Sequence, residues 1–327
     1  MARRIFGKIT DQHGEPVEGL LVKAWDDDWP DGDDLMGEEL TDAKGDYQIS
    51  YAPGHWDAAP HAVPTWRPDI FISVHIRNAA GQWVKLRKSR VYENHRLSKN
   101  LRINLKVDIE EPERNNTSFK PRRHGFHFHN FFTISPRVFG IDLGTWNMGL
   151  CGGMCAGALN RFNNDVDVPV DTTPPEEGTL LYKELLHRQI RSLMDPTNII
   201  DDIYDWQSAP DEGQPYRKHS VGYRTKKQWW KLKARLDEGK PTSLVLIRAE
   251  GYLGNLSDNH QVVAIGYRYN PTTKDLSISV YDPNHPDQTH TLSMNLGLPR
   301  SRLSAKDSTG NRLRGFLVNP NGDAASS

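Results

Sequence analysis

The chain has 327 residues, a length that accommodates two domains. Its 41 basic and 42 acidic residues leave a formal net charge of −1, which removes the electrostatic basis for binding nucleic acid or an anionic membrane. The first residues carry no apolar leader, and nothing approaches the ~20 apolar residues of a membrane span, so the sequence reads as a soluble protein, cytoplasmic or exported without a cleaved signal. From the N-terminus, residues 5–107 read as β-structure. Ile5–Ile9 is a short strand and Asp11–Pro16 a turn punctuated by Gly and Pro. Leu20–Trp25 is a second strand, followed by an acidic stretch from Asp26 to Glu39. That stretch lacks the ordered spacing of a calcium loop and reads as a solvated turn. After the Thr41–Gly45 turn, Tyr47–Tyr51 alternates as a half-buried strand does. Asp69–Ile76 and Leu101–Val107 continue the pattern, and short strands with turn signals between them predict a β-sandwich.

Three pieces of this region, Gly7-Lys-Ile-Thr-Asp with Gly14-Glu-Pro-Val-Glu-Gly, Thr41-Asp-Ala-Lys-Gly-Asp-Tyr, and Arg67-Pro-Asp-Ile, resemble the transthyretin-like and carboxypeptidase-regulatory-like sandwich. The resemblance implies an accessory module at 1–107 and no chemistry. Residues 108–123, charged and proline-containing, read as a linker, and 319–327 as a disordered tail. Between them, 124–318 reads as mixed α and β. His124, His127 and His129 fall on a predicted strand with Phe126 and Phe128 packed inward. No further ligand converges on them in the sequence, so no metal is expected. Leu180–Met194 and Lys226–Glu238 read as helices, the second stopped by Gly239 and Pro241. Trp206, Trp229 and Trp230 read as core aromatics rather than a groove. Leu244–Ile247, Gln261–Tyr269 and Leu276–Tyr281 read as strands.

Both cysteines lie in Gly149–Phe162, GLCGGMCAGALNRF. Cys155, Ala158, Leu159 and Phe162 follow helical spacing, which places Cys155 on the apolar face and Cys151 at the helix start. There the positive end of the helix dipole favours a thiolate, the reactive form. Two thiols four residues apart make no disulfide framework. A thiol nucleophile needs a base within reach and a group that orients the base. His260 opens one predicted strand and Asp282 closes the next, before Pro283. Were these strands antiparallel neighbours, Asp282 could hold the imidazole tautomer, with Asn284 as a second candidate.

Cys at a helix start, then His-x-Val-x-x-x-Gly-Tyr at 260–267, then Asp282-Pro, resembles the papain-like cysteine peptidase superfamily. With Leu236-Asp-Glu-Gly-Lys-Pro-Thr-Ser-Leu-Val and Tyr281-Asp-Pro, it is similar to the bacteriocin-processing branch. That branch has its nucleophile directly before a glycine, which points to Cys151. The papain branch would point to Cys155. Both carry a glutamine a few residues before the nucleophile, yet none lies between Gln82 and Gln189 here. Asn147 stands four residues before Cys151 and is the candidate oxyanion donor, together with the Cys151 backbone N–H. The resemblance implies an α+β protein, a β-sandwich followed by a papain-like domain. It implies a cofactor-independent cysteine hydrolase acting on a protein or peptide through Cys151, His260 and Asp282, as could suit an effector or toxin. The alternatives are a related acyl transferase or deamidase, and a non-catalytic binding protein on the same scaffold, which the missing glutamine favours.

Overall fold

The computed structural model describes residues 3–27, 32–51, 68–93, 100–134, 137–138, 141–142, 146–194, 197–213, 220–251, 254–297, 302–303 and 305–322, with 133–148 by backbone alone. The architecture is mixed α+β with a large β-sheet. The chain divides into two compact units, Met1–Glu111 with Asn270–Lys274, and Pro112–Tyr269 with Asp275–Ser327. Among the described residues no helix is long and apolar enough to cross a membrane.

In the first unit, β1 (Arg3–Thr10) pairs antiparallel with β4 (Asp46–Tyr51), Ile5 opposite Ile49. It also pairs parallel with β7 (Leu101–Arg102) and β8 (Leu105–Lys106). A second, antiparallel sheet runs β3 (Asp34–Leu40), β2 (Leu21–Asp26), β5 (Ile70–Arg77), β6 (Trp83–Lys88). Period-2 alternation puts Ile5, Ile9, Tyr47 and Ile49 of one sheet into the same core as Val22, Ala24, Ile72 and Val74 of the other. The acidic stretch is not the continuous turn its charge suggests. Asp26 is buried and accepts the Asp69 N–H, and Asp34–Leu40 is a strand that buries Met36 while its carboxylates stay at the surface. Residues 28–31 of that stretch lie outside the described residues. The edge strand β6 alternates half-buried Val84 and Leu86 with exposed Trp83, Lys85 and Arg87, and Leu86 packs against the core.

The second unit is built on the sheet order β19 (Arg312–Leu313), β18 (Ala305–Asp307), β17 (Thr289–Asn295), β16 (Asp275–Tyr281), β15 (His260–Tyr269), β14 (Thr242–Ile247), β20 (Gly315–Val318). β15 is apolar from Val262 to Ile265 because both of its faces are covered there. Val262 and Ala264 join the core of α5 (Val221–Asp237), with Trp229, Leu232 and Leu236. Val263 and Ile265 face the core of α2 (Cys151–Asn163) and α3 (Leu180–Met194), with Met154, Leu159 and Leu185. A shorter helix, α4 (Ile200–Ser208), packs Ile203 and the buried Trp206 with Val245 and Ile247. Trp230 is half exposed beside the buried Trp229. Ser220 caps α5 by accepting the Tyr223 N–H, so the helix begins five residues before the predicted Lys226.

From Pro112 on, the stretch read as a linker is folded into this unit. Glu113–Asn116 (β9) pairs with β15 from Gly266 to Tyr269, and Pro121–His124 is a short helix, α1. The pairing of β9 uses backbone groups while its side chains stay largely exposed, which is why its composition resembles a linker. The predicted histidine strand is instead α1 and an irregular segment, with Phe126 and Phe128 buried. Phe132–Ile134 (β10) pairs with Trp146–Met148 (β13), and Arg137–Val138 (β11) with Ile141–Asp142 (β12). The start of the predicted tail is also folded: Asn319 and Asn321 are buried and hydrogen-bonded. Residues 323–327 lie outside the described residues.

Candidate active site

Cys151 is the first residue of α2. Two glycines let this first turn sit hard against its neighbours. A Cβ on Gly152 would lie 2.5 Å from Gln261 Nε2 and from Ser192 Oγ, and one on Gly153 would lie 2.1 Å from the Leu185 carbonyl oxygen. The Gly153 N–H, one of the donors a helix start leaves open, is taken by Gln189 Oε1 at 3.0 Å. The thiol of Cys151 is thereby set against the beginning of β15, where the Gln261 backbone N–H points at Sγ across 3.4 Å.

β15 begins at His260, opposite Leu246 of β14, and pairs antiparallel with β16, Val263 opposite Tyr281. Asp282 directly follows β16 and therefore lies beside His260. Nε2 of His260 and Oδ1 of Asp282 are 2.7 Å apart, and both residues are buried. With Nε2 committed to the carboxylate, Nδ1 is the ring nitrogen that remains for the Cys151 thiol, whose sulfur lies 3.4 Å from the backbone N–H of the next residue, Gln261. Asn284 does not meet His260; its N–H braces Asp282 Oδ1 at 2.8 Å.

The electrostatics of the three groups interlock. Burial by itself pushes the Cys151 thiol up. The hydrogen bond and positive charge of His260, with the N–H groups of Gln261 and Gly152, outweigh it and hold the thiol below its ordinary value. Burial pushes His260 down, and the bonds to Asp282 and Cys151 reverse this, raising it to about 9. Asp282 is penalised by burial but held below the usual carboxylate range by His260. All three shifts run the same way, each favouring the charged form of its group: the thiolate, the imidazolium and the carboxylate. Cys155 is the opposite case: fully buried among Met154, Ala158 and Leu159, it is pushed well up by burial and by the charges of Cys151 and Asp282.

Asn147 lies in β13, opposite Thr133 of β10, and its side chain lies outside the described residues. Among the described residues, no group of three or more His, Cys, Asp or Glu converges as a metal site. His127 is paired with Asp287 at 2.6 Å, and His129 Nδ1 lies 3.0 Å from the Asn284 carbonyl oxygen. Several polar residues around the site had no motif to mark them. Gln261 Nε2 donates to Ser192 Oγ at 3.3 Å, and Gln261 Oε1 accepts from Asn319 Nδ2 at 3.0 Å. Asn130 Oδ1 accepts the Leu150 N–H at 2.6 Å. Only the position of Gln261, next to the candidate base, could have drawn attention in the sequence.

No protein-family model matches the chain, and no curated protein matches it. Among solved structures, a 9R-lipoxygenase from Cyanothece PCC8801 is 13% identical with a TM-score of 0.23, over 94% of this chain and 42% of that one. The major pilin subunit BcpA of Bacillus cereus is 14% identical with a TM-score of 0.19, over 33% of this chain and 29% of that one. The dioxygenase domain of a dioxygenase carbohydrate-binding protein fusion from Streptomyces sp. SirexAA-E is 11% identical with a TM-score of 0.19, over 33% of this chain and 79% of that one. The chain thus spans less than half the length of the first two, none of the three is papain-like, and likenesses this weak carry no argument about fold or chemistry.

Proposed function

We propose that the protein is a papain-like cysteine hydrolase, acting as a peptidase on a protein or peptide substrate. The reading rests above all on one observation: His260 is paired with the Asp282 carboxylate at 2.7 Å, while the N–H of its neighbour Gln261 lies 3.4 Å from the sulfur of Cys151, at a helix start. In this reading the Cys151 thiolate attacks the substrate carbonyl, and a tetrahedral oxyanion forms. The Cys151 backbone N–H and Asn147 are its proposed donors. The His260 imidazolium gives its proton to the leaving amine, which departs and leaves a thioester. His260, now neutral, takes a proton from water as it attacks the thioester carbonyl, and thiolate and imidazolium are restored. Asp282 holds the ring and its charge throughout. The same steps with another nucleophile in place of water describe an acyl transferase, and with a side-chain amide as substrate a deamidase. The hydrolase domain is assigned to 124–318. Residues 1–107, with two sheets around one core, are assigned to a transthyretin-like sandwich that serves as an accessory module.

A non-catalytic binding role on the same scaffold is favoured by one fact, the lack of a glutamine shortly before Cys151. The two part on a burst experiment with p-nitrophenyl acetate. The hydrolase reading expects a stoichiometric acyl adduct on Cys151 by peptide mass mapping, lost in Cys151→Ala and slowed by about 10²-fold or more in His260→Ala. Turnover that survives Cys151→Ala would sink it, and the absence of any adduct would favour the binding role.

A further inference from the structure

Asn130 belongs to neither the nucleophile nor the base, yet it is bonded to the carriers of both. Its backbone N–H donates to the Pro283 carbonyl at 3.0 Å, which seats it on the turn behind Asp282. Its side-chain Oδ1 accepts the N–H of Leu150, the residue before Cys151, at 2.6 Å. Its Nδ2 donates to Asn284 Oδ1 at 2.9 Å. The Asn284 N–H in turn donates to Asp282 Oδ1 at 2.8 Å, the same oxygen that meets His260 Nε2. The amide cannot be turned round, because the Leu150 N–H requires an oxygen opposite it. Gly149 leaves room for this seat, since a Cβ there would lie 2.7 Å from Asn130 Nδ2. Leu150, the N-cap residue of α2, offers no side-chain cap; Gln189 takes the Gly153 N–H, and Asn130, 20 residues away, takes the N–H of Leu150 itself.

Cys151 and the His260–Asp282 pair are carried on separate elements, and more than 100 residues of chain part them. Local geometry therefore does not set the distance between sulfur and ring, and a misplacement of about 1 Å at such a site costs on the order of 10²-fold. We propose that Asn130 is a positioning residue that clamps the start of α2 to the Asp282–Asn284 turn and so sets the contact between Cys151 and His260. The proposal rests on the hydrolase reading. Asn130 touches neither the sulfur nor the ring and acts only through Leu150 and Asn284.

The test is the rate of iodoacetamide alkylation of Cys151 against pH in the full chain, read by peptide mass mapping beside the melting temperature. Wild type, His260→Ala, Asn130→Ala, Asn284→Ala and the double variant Asn130→Ala/Asn284→Ala are compared. A clamp predicts that Asn130→Ala slows alkylation at pH 6 roughly tenfold, a midpoint about one unit higher, with the plateau at high pH unchanged. Asn284→Ala shifts the midpoint the same way, and the double variant is no worse than Asn130→Ala, because both cut one link. A lower melting temperature with an unmoved midpoint would overturn the clamp and leave Asn130 a structural residue. If Asn130→Ala does not fold, Asn284→Ala decides, since it keeps the bond to Leu150. A wild-type midpoint that is depressed and depends on His260, but ignores Asn130 and Asn284, defeats the clamp alone. An ordinary wild-type midpoint defeats the hydrolase reading and the clamp together.

Discussion

Cys151 and Cys155 share a helix and differ in what surrounds the sulfur. One faces an imidazole and two backbone N–H groups, the other only apolar side chains. Replacing Cys155 by Ser would bury a hydroxyl in that apolar cluster at a cost of about 1–3 kcal/mol, measured by chemical denaturation, while the alkylation profile of Cys151 stays as in wild type. A Cys155→Ser variant that lost the fast thiol instead would move the nucleophile to position 155. His260 carries the pH dependence. The Cys151 thiol is held below its ordinary value and the imidazolium persists to about 9, so acylation needing thiolate and imidazolium together should follow a bell whose alkaline limb lies near that value. Asp282 contributes to raising His260, so Asp282→Asn removes a charge that favours the protonated ring, and the alkaline limb moves to lower pH. A limb that stays in place in Asp282→Asn would deny Asp282 its role.

At the scale of elements, the site depends on how closely α2 approaches its neighbours. Alanine at a helical glycine ordinarily gains about 0.5–1 kcal/mol. At Gly153 the new methyl would meet the backbone oxygen of Leu185 at 2.1 Å, a fixed atom, so the clash wins and Gly153→Ala should destabilise by about 1–3 kcal/mol. At Gly152 the atoms in the way are side-chain ends, Gln261 Nε2 and Ser192 Oγ, which are able to shift. Gly152→Ala should therefore keep more stability than Gly153→Ala while slowing Cys151 alkylation at pH 6, because the displaced Gln261 side chain gives up its bonds to Ser192 and Asn319 and disturbs the residue whose N–H faces the sulfur. Equal melting temperatures for the two variants would contradict this ordering. The β14, β15 and β16 strands were each legible in the sequence, but their pairing was not. That His260 and Asp282 adjoin follows from the antiparallel register of β15 and β16, which pairs Val263 with Tyr281.

At the scale of the molecule, Asn319 and Asn321 tie the stretch after β20 to α3, β15 and Thr197. Asn319 Nδ2 donates to Ser192 O and to Gln261 Oε1, and Asn321 Nδ2 reaches Thr197 O. Asn319→Ala would leave Gln261 Oε1 buried without that donor, a loss of about 1–3 kcal/mol in denaturant midpoint experiments; a neutral result would mean the amide is not anchored there. None of this was visible in the composition of 319–327, which is polar and ends in small residues, nor was β9 visible in a stretch of Glu, Arg and Asn. Polar segments that fold through backbone pairing and amide bonds look, residue by residue, like solvated ones. What the sequence alone determined is local: the thiol at the head of an apolar helical stripe, the histidine opening a strand, and the aspartate stopped by proline. Each is a property of a few consecutive residues. What only the tertiary structure decided is every relation across distance. It set the strand order that brings His260 to Asp282, the close approach that glycines 152 and 153 permit, and the partners of Asn130, Gln261 and Asn319. Those contacts join residues tens to more than 100 positions apart, and no short-range pattern encodes which distant backbone a polar side chain will meet.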